Sequence, residues 1–124
     1  MRYLNYSEYI GPHFKFSEFR CRCCGKLPTQ GIDPNLILKL EFLRMILGNK
    51  QMIIRSGYRC PNHNKQVAGA PKSQHLYGRA ADIIVKGINP SDVAKAAELV
   101  LYDGGLGRYE YFTHIDSRGS KARW

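Results

Sequence analysis

Two segments of this chain carry the same start and stop signals for a helix, and short apolar runs lie between and after them. That order limits the fold more than any other feature. In DPNLILKLEFLRMILG, Asp33 suits the capping position, Pro34 the first helical position and Gly48 the stop. Leu36, Leu40, Leu43 and Leu47 recur at spacings of four and three, so they form one buried stripe. NPSDVAKAAELVLYDGG, residues 89–105, repeats the Asn-Pro start and the glycine stop, which predicts a second long helix. QMIIRS (51–56) and AADIIV (80–85) read as short buried strands, and GLGRYEYFTHIDSRG (105–119) as one or two strands broken near Arg108 to Glu110. Ser17 is expected to cap a helical turn in SEF, and residues 1–16 form an irregular or strand-like lead-in. GYRCPNHN reads as a turn running into a helical turn. Helices and strands are mixed rather than strictly alternating, which predicts an α+β fold with an antiparallel or mixed sheet packed by helices. The 124 residues suit a single small domain with one core.

Charge narrows the partners. Nineteen Lys and Arg against ten Asp and Glu give a net charge of +9, which favours encounter with nucleic acid, an acidic membrane or an anionic wall polymer. No block of five or more basic residues exists, so nucleic-acid binding is not expected. The N-terminus lacks the apolar core of a signal peptide, and no apolar run approaches the roughly 20 residues of a transmembrane helix. The chain is therefore expected to be made in the cytoplasm.

The chemistry concentrates in SQHLYGRAAD, where His75 and Asp82 stand seven positions apart, and in YFTHIDSRG, where His114 and Asp116 share one strand face with Phe112. Two histidines and one carboxylate form a known catalytic zinc set that leaves a fourth position open. His75, Asp82 and His114 meet that need; the alternative, for a histidine taken alone, is a surface or satisfied core residue. His63 and Asn64 are expected to shape their turn, and His13 has no evident partner.

SGYRCPNHNKQVAGAPKSQHLYGRAADI and the closing YFTHIDSRGSKARW resemble the zinc D-Ala-D-Ala carboxypeptidase family, the murein peptidases that include phage endolysins. Its signature S-x-H-x-x-G-x-A-x-D is filled by Ser73, His75, Gly78, Ala80 and Asp82, and His114 supplies the later histidine. The resemblance runs more loosely from FKFSEF to the terminal ARW. It implies a hedgehog/D-Ala-D-Ala peptidase-like fold in which His75, Asp82 and His114 hold Zn2+ on the sheet and an adjacent loop. It implies hydrolysis of peptide bonds in peptidoglycan stem peptides, by a carboxypeptidase or by an endopeptidase that opens crosslinks. Gly78 and the alanines read as space beside the metal loop. Arg59 occupies the position of the family's active-site arginine, able to hold a substrate carboxylate or stabilise oxyanion charge. Ser73 and Gln74 are candidates for orienting His75 or binding substrate, with loop capping as the alternative.

The sequence departs from the family at the general base. Relatives carry Glu three residues, or His two residues, before the distal histidine; Tyr111 and Phe112 stand there. Asp116 is the first candidate to take the water proton and Glu110 the second, while Asp116 could instead partner Arg118 or a zinc-ligand imidazole. Without a base the protein would be a non-catalytic zinc-containing cell-wall-binding module. The basic charge and missing signal fit a phage or prophage lysis protein that reaches the wall through another protein's pore, and a monomer is expected. Cys21, Cys23, Cys24 and Cys60 leave three readings open: a second, structural zinc with Cys3His ligation through His63, a disulfide to Cys60, or free thiols.

Overall fold

The computed structural model describes residues 8–124. Of the expected lead-in, residues 1–7 lie outside the described residues. The remainder forms a small hairpin of β1 (Tyr9–Gly11) and β2 (Phe14–Lys15). The turn that follows spans Phe16–Phe19, not Ser17 onward. It is fixed by the Glu18 carboxylate accepting from the Lys15 N–H at 2.7 Å, so Ser17 is not its cap.

Helix α1 covers Pro34–Ile46, with the Asp33 side chain accepting from the Asn35 N–H at 3.1 Å. Leu36, Leu40 and Leu43 are fully buried as the spacing predicts, joined by Ile37, while Leu47 caps the helix at the core's edge. Burying each leucine contributes about 1.5–3 kcal/mol. Helix α2 (Pro61–Gln66) starts at the Cys60 cap, and α3 (Pro90–Ala97) at Asn89, whose side chain accepts from the Asp92 N–H. The second long helix is therefore shorter than expected. Past Ala97 the backbone tightens into i to i−3 bonds, and the Glu98 carboxylate is held by Arg108 and Arg123, two residues of the sheet.

Five strands make the main sheet in the order β3 (Met52–Ser56), β4 (Ala80–Val85), β6 (Thr113–Asp116), β5 (Gly105–Arg108), β7 (Ala122–Arg123). The β5–β7 pair is parallel and the other pairs antiparallel, so the sheet is mixed. Ala81, Ile83, Val85, Leu106 and Ile115 face the helices in one core with Phe14, Phe19, Leu36 and Leu40. The alternation of the strands then sends Asp82, His114 and Asp116 to the opposite face. Register completes the arrangement, because Asp82 lies directly across from His114, and Asp116 across from Gly105.

Candidate metal centre

Three ligand atoms, one each from His75, Asp82 and His114, lie within 4.8 Å of one another. Two come from paired strands and the third from the one-turn segment Gln74–Tyr77 that precedes β4. Ser73 caps that turn, its hydroxyl accepting from the His75 N–H at 3.3 Å. Gly78 closes it at φ 68°, a left-handed conformation that favours glycine. All three side chains are buried.

The proton positions follow from the partners. His75 Nδ1 lies 2.6 Å from the Gly57 carbonyl oxygen, which can only accept, so Nδ1 carries the proton and Nε2 offers a lone pair. His114 Nε2 lies 2.8 Å from Asp116 Oδ2, an ionised acceptor, so its Nδ1 offers the other. Both free nitrogens point at Asp82 Oδ1, at 3.2 and 2.9 Å. Neutral imidazoles leave three lone pairs facing one another with no proton between them. A cation satisfies all three at once, and the donor set suits zinc.

Asp116 stands behind His114, away from the cleft. Its carboxylate, 0% exposed, accepts from Gly105 N, from Arg118 N, Nε and Nη2, and from His114 Nε2 at 2.7–3.2 Å. That fills its acceptor capacity. Burial alone would raise its pKa, but the bonds from His114 and Arg118 win and hold it far below the usual carboxylate range. The expectation that Asp116 takes the water proton therefore meets a carboxylate with no free face toward a substrate. The geometry matches the other role considered for it, a partner of both Arg118 and the imidazole. Glu110 is exposed and does not line the cleft, so it too is out of place for a base.

The site lies in an open cleft of about 770 Å³. Arg22, Arg55, Arg59, Lys72 and Arg118 line it, and Asp82 is the only carboxylate among its lining residues. Arg59 Nη2 holds Asp82 Oδ2 at 3.3 Å while Nη1 reaches Asn64 Oδ1 at 3.4 Å. Gln74 also lines the cleft, and its amide oxygen accepts from Arg79 Nε. Reading the sequence missed the aromatic wall. Tyr109 and Phe112 stack at 4.4 Å, Trp124 Nε1 donates to the Tyr109 hydroxyl, and the Trp124 ring lies 4.9 Å from that of His114. Only the resemblance in the terminal ARW hinted at Trp124.

Gly105 makes the Asp116 pocket, since a β-carbon there would overlap the carboxylate. Gly105→Ala is therefore expected to cost about 1–3 kcal/mol, read in a denaturant melt, and to weaken zinc binding.

The charges predict how the metal-free protein responds to pH. For His114 burial would lower the pKa, but hydrogen bonds to Asp116 and Asp82 raise it. Its stabilisation is full below the unfolded value of about 6.5 and is lost as pH rises through the raised value. Asp82 and Asp116 are depressed, so theirs is present above about 4 and lost only as pH falls well below it. The chelated protein should thus melt higher near pH about 5.5 than near pH about 8, and added zinc should remove that difference by replacing the missing proton.

The sequence profile of the peptidase M15 family matches residues 12–116. The chain belongs to this family. It is 36% identical to the peptidoglycan L,D-endopeptidase MepK of Escherichia coli strain K12, over 77% of this chain and 56% of that protein. A probable MepK of Haemophilus influenzae is 34% identical over 69% of this chain and 50% of its own length. The zinc D-Ala-D-Ala carboxypeptidase of Streptomyces albus G is 40% identical over 36% of this chain and 18% of that protein. The chain spans about half the length of the MepK relatives it matches. Among the described residues, no helix is long and apolar enough to cross a membrane.

Proposed function

We propose that this chain is a zinc-dependent peptidase that hydrolyses peptide bonds in peptidoglycan stem peptides. One observation carries the reading: His75 Nε2, His114 Nδ1 and Asp82 Oδ1 converge on one another, in a cleft lined by cations. These three side chains are the proposed ligands. A zinc ion held there would polarise a scissile carbonyl and lower the pKa of water to about 7. Arg59 keeps Asp82 Oδ2 turned away from the histidines and offers its outer edge to a substrate carboxylate or developing oxyanion. Arg22, Arg55 and Lys72 draw in the carboxylates of the stem. Tyr109, Phe112 and Trp124 give the peptide a flat wall to lie against. Asp116 fixes the ring and tautomer of His114, a positioning role. Ser73 acts through the His75 turn, and Gln74 faces the substrate.

The MepK similarity covers more of this chain than the carboxypeptidase similarity, which favours an endopeptidase over a carboxypeptidase. Action at the cell wall and a monomeric state belong to the same proposal. A second reading, a zinc-containing wall-binding module without turnover, is favoured by the lack of any carboxylate besides Asp82 among the residues lining the cleft. The test is digestion of purified peptidoglycan by metal-free protein, with and without added zinc, followed by mass analysis of the fragments. Zinc-dependent fragments support the peptidase and name the bond. Intact glycan peptides beside zinc-loaded protein would support the module.

A further inference from the structure

A second group of side chains able to bind a metal lies apart from the cleft floor. One Sγ each from Cys21, Cys24 and Cys60 lies within 4.8 Å of the other two, although Cys60 is 39 positions from Cys21. The loop that brings them together is tight: Cys21 N–H donates to the Lys26 carbonyl at 2.9 Å, and Gly25 N–H to the Cys21 carbonyl at 2.8 Å. Backbone donors are aimed at the sulfurs. Cys60 N–H donates to Cys21 Sγ and His63 N–H to Cys60 Sγ, both at 3.4 Å, and the N–H groups of Cys23 and Cys24 also favour a charged Cys21 sulfur. Such donors stabilise thiolate over thiol.

We propose that Cys21, Cys24 and Cys60 hold a second, structural zinc ion that ties the loop ahead of α1 to the turn carrying Gly57 and Arg59. Each thiol gives its proton to solvent as its sulfur becomes a ligand. A disulfide would use two of the three sulfurs and leave the third facing it, whereas a tetrahedral thiolate site uses all three. For the fourth position, the Cys23 thiol interacts with Cys60 and Cys21, whereas the His63 side chain lines the cleft.

The ion would support the first site from a distance. Gly57 O orients His75, Arg59 Nη2 holds Asp82, and Tyr58 N–H between them already bonds to the Phe19 carbonyl at 2.9 Å. Fixing Cys60 to the 21–24 loop clamps that turn from its other end.

The experiment measures zinc per chain on protein purified under reducing conditions, then repeats the loading with cobalt. The wild type should hold about two metal ions, with an intense near-ultraviolet thiolate-to-cobalt band. Cys60→Ser, which keeps a helix-capping oxygen, should hold about one ion and lose that band; His114→Ala should also hold about one ion but retain the band. Because the readout is stoichiometry and a sulfur-specific band, it is independent of peptidase activity. A variant-free check uses thiol reagent on native protein, which should react slowly until a strong chelator is added. One ion per chain in the wild type with no thiolate band, thiols fully reactive without chelator, or a mass two hydrogens lower from a disulfide would each overturn the proposal.

Discussion

Replacing Asp82 by asparagine is expected to remove one equivalent of zinc and to lower peptidoglycan cleavage by at least about a thousandfold, because the lowered water pKa is lost with the ion. The side chain is nearly isosteric, so the effect comes from charge. Asp82 Oδ1 meets the lone pairs of His75 and His114, and Oδ2 meets Arg59. An amide in the same place presents either an N–H2 group to Arg59 or one to the ion's position. Burial would raise the Asp82 pKa, but bonds to His114 and His75 hold it well down, so the native group is a carboxylate throughout the working range. Metal analysis and fragment yield are read on the same preparation, with a melt to confirm folding. A variant that keeps its full metal content and its activity would remove Asp82 from the site.

Asp116→Asn is the second large effect, and it separates two roles for one residue. As a positioning residue, Asp116 accepts from five donors, and the amide can satisfy only part of them while leaving Arg118 without its counter-charge. The expected loss is about 3 kcal/mol of stability, the lower end for a broken buried pair because the Arg118 side chain is still 26% exposed. Zinc affinity should fall by about 10–100-fold, as when other partners of ligand imidazoles are removed. A general base would behave differently. Its replacement would leave zinc affinity and the melt unchanged, abolish kcat and remove the acidic limb of the pH profile.

Much of the site was legible because its information is local. The seven-position spacing from His75 to Asp82 lies in one turn and the strand that follows, and strand alternation places His114 and Asp116 on one face whatever the rest of the fold does. Leu36, Leu40 and Leu43 were legible for the same reason in α1. What failed depended on neighbours far along the chain. Whether Asp116 faces substrate is decided by β5, where Gly105 opens space behind it; the Arg118 partner, two residues away, was among the alternatives that the sequence offered. Past Ala97 the chain of α3 gives way to i to i−3 bonds that the Asn-Pro start and glycine stop did not announce, and Trp124 reaches His114 because β7 pairs with β5 in parallel. The cysteine spacing in the loop was visible, but the convergence of Cys60 on Cys21 and Cys24 required the fold.

The most direct test of the metal centre is an anomalous-scattering map at the zinc edge from crystals grown with zinc. A peak about 2.0–2.2 Å from His75 Nε2, His114 Nδ1 and an Asp82 oxygen, with Asp116 still bound to His114 Nε2, is the predicted result. Zinc-loaded crystals with no peak among those three side chains, or with His114 turned so that Nε2 meets the ion, would contradict it.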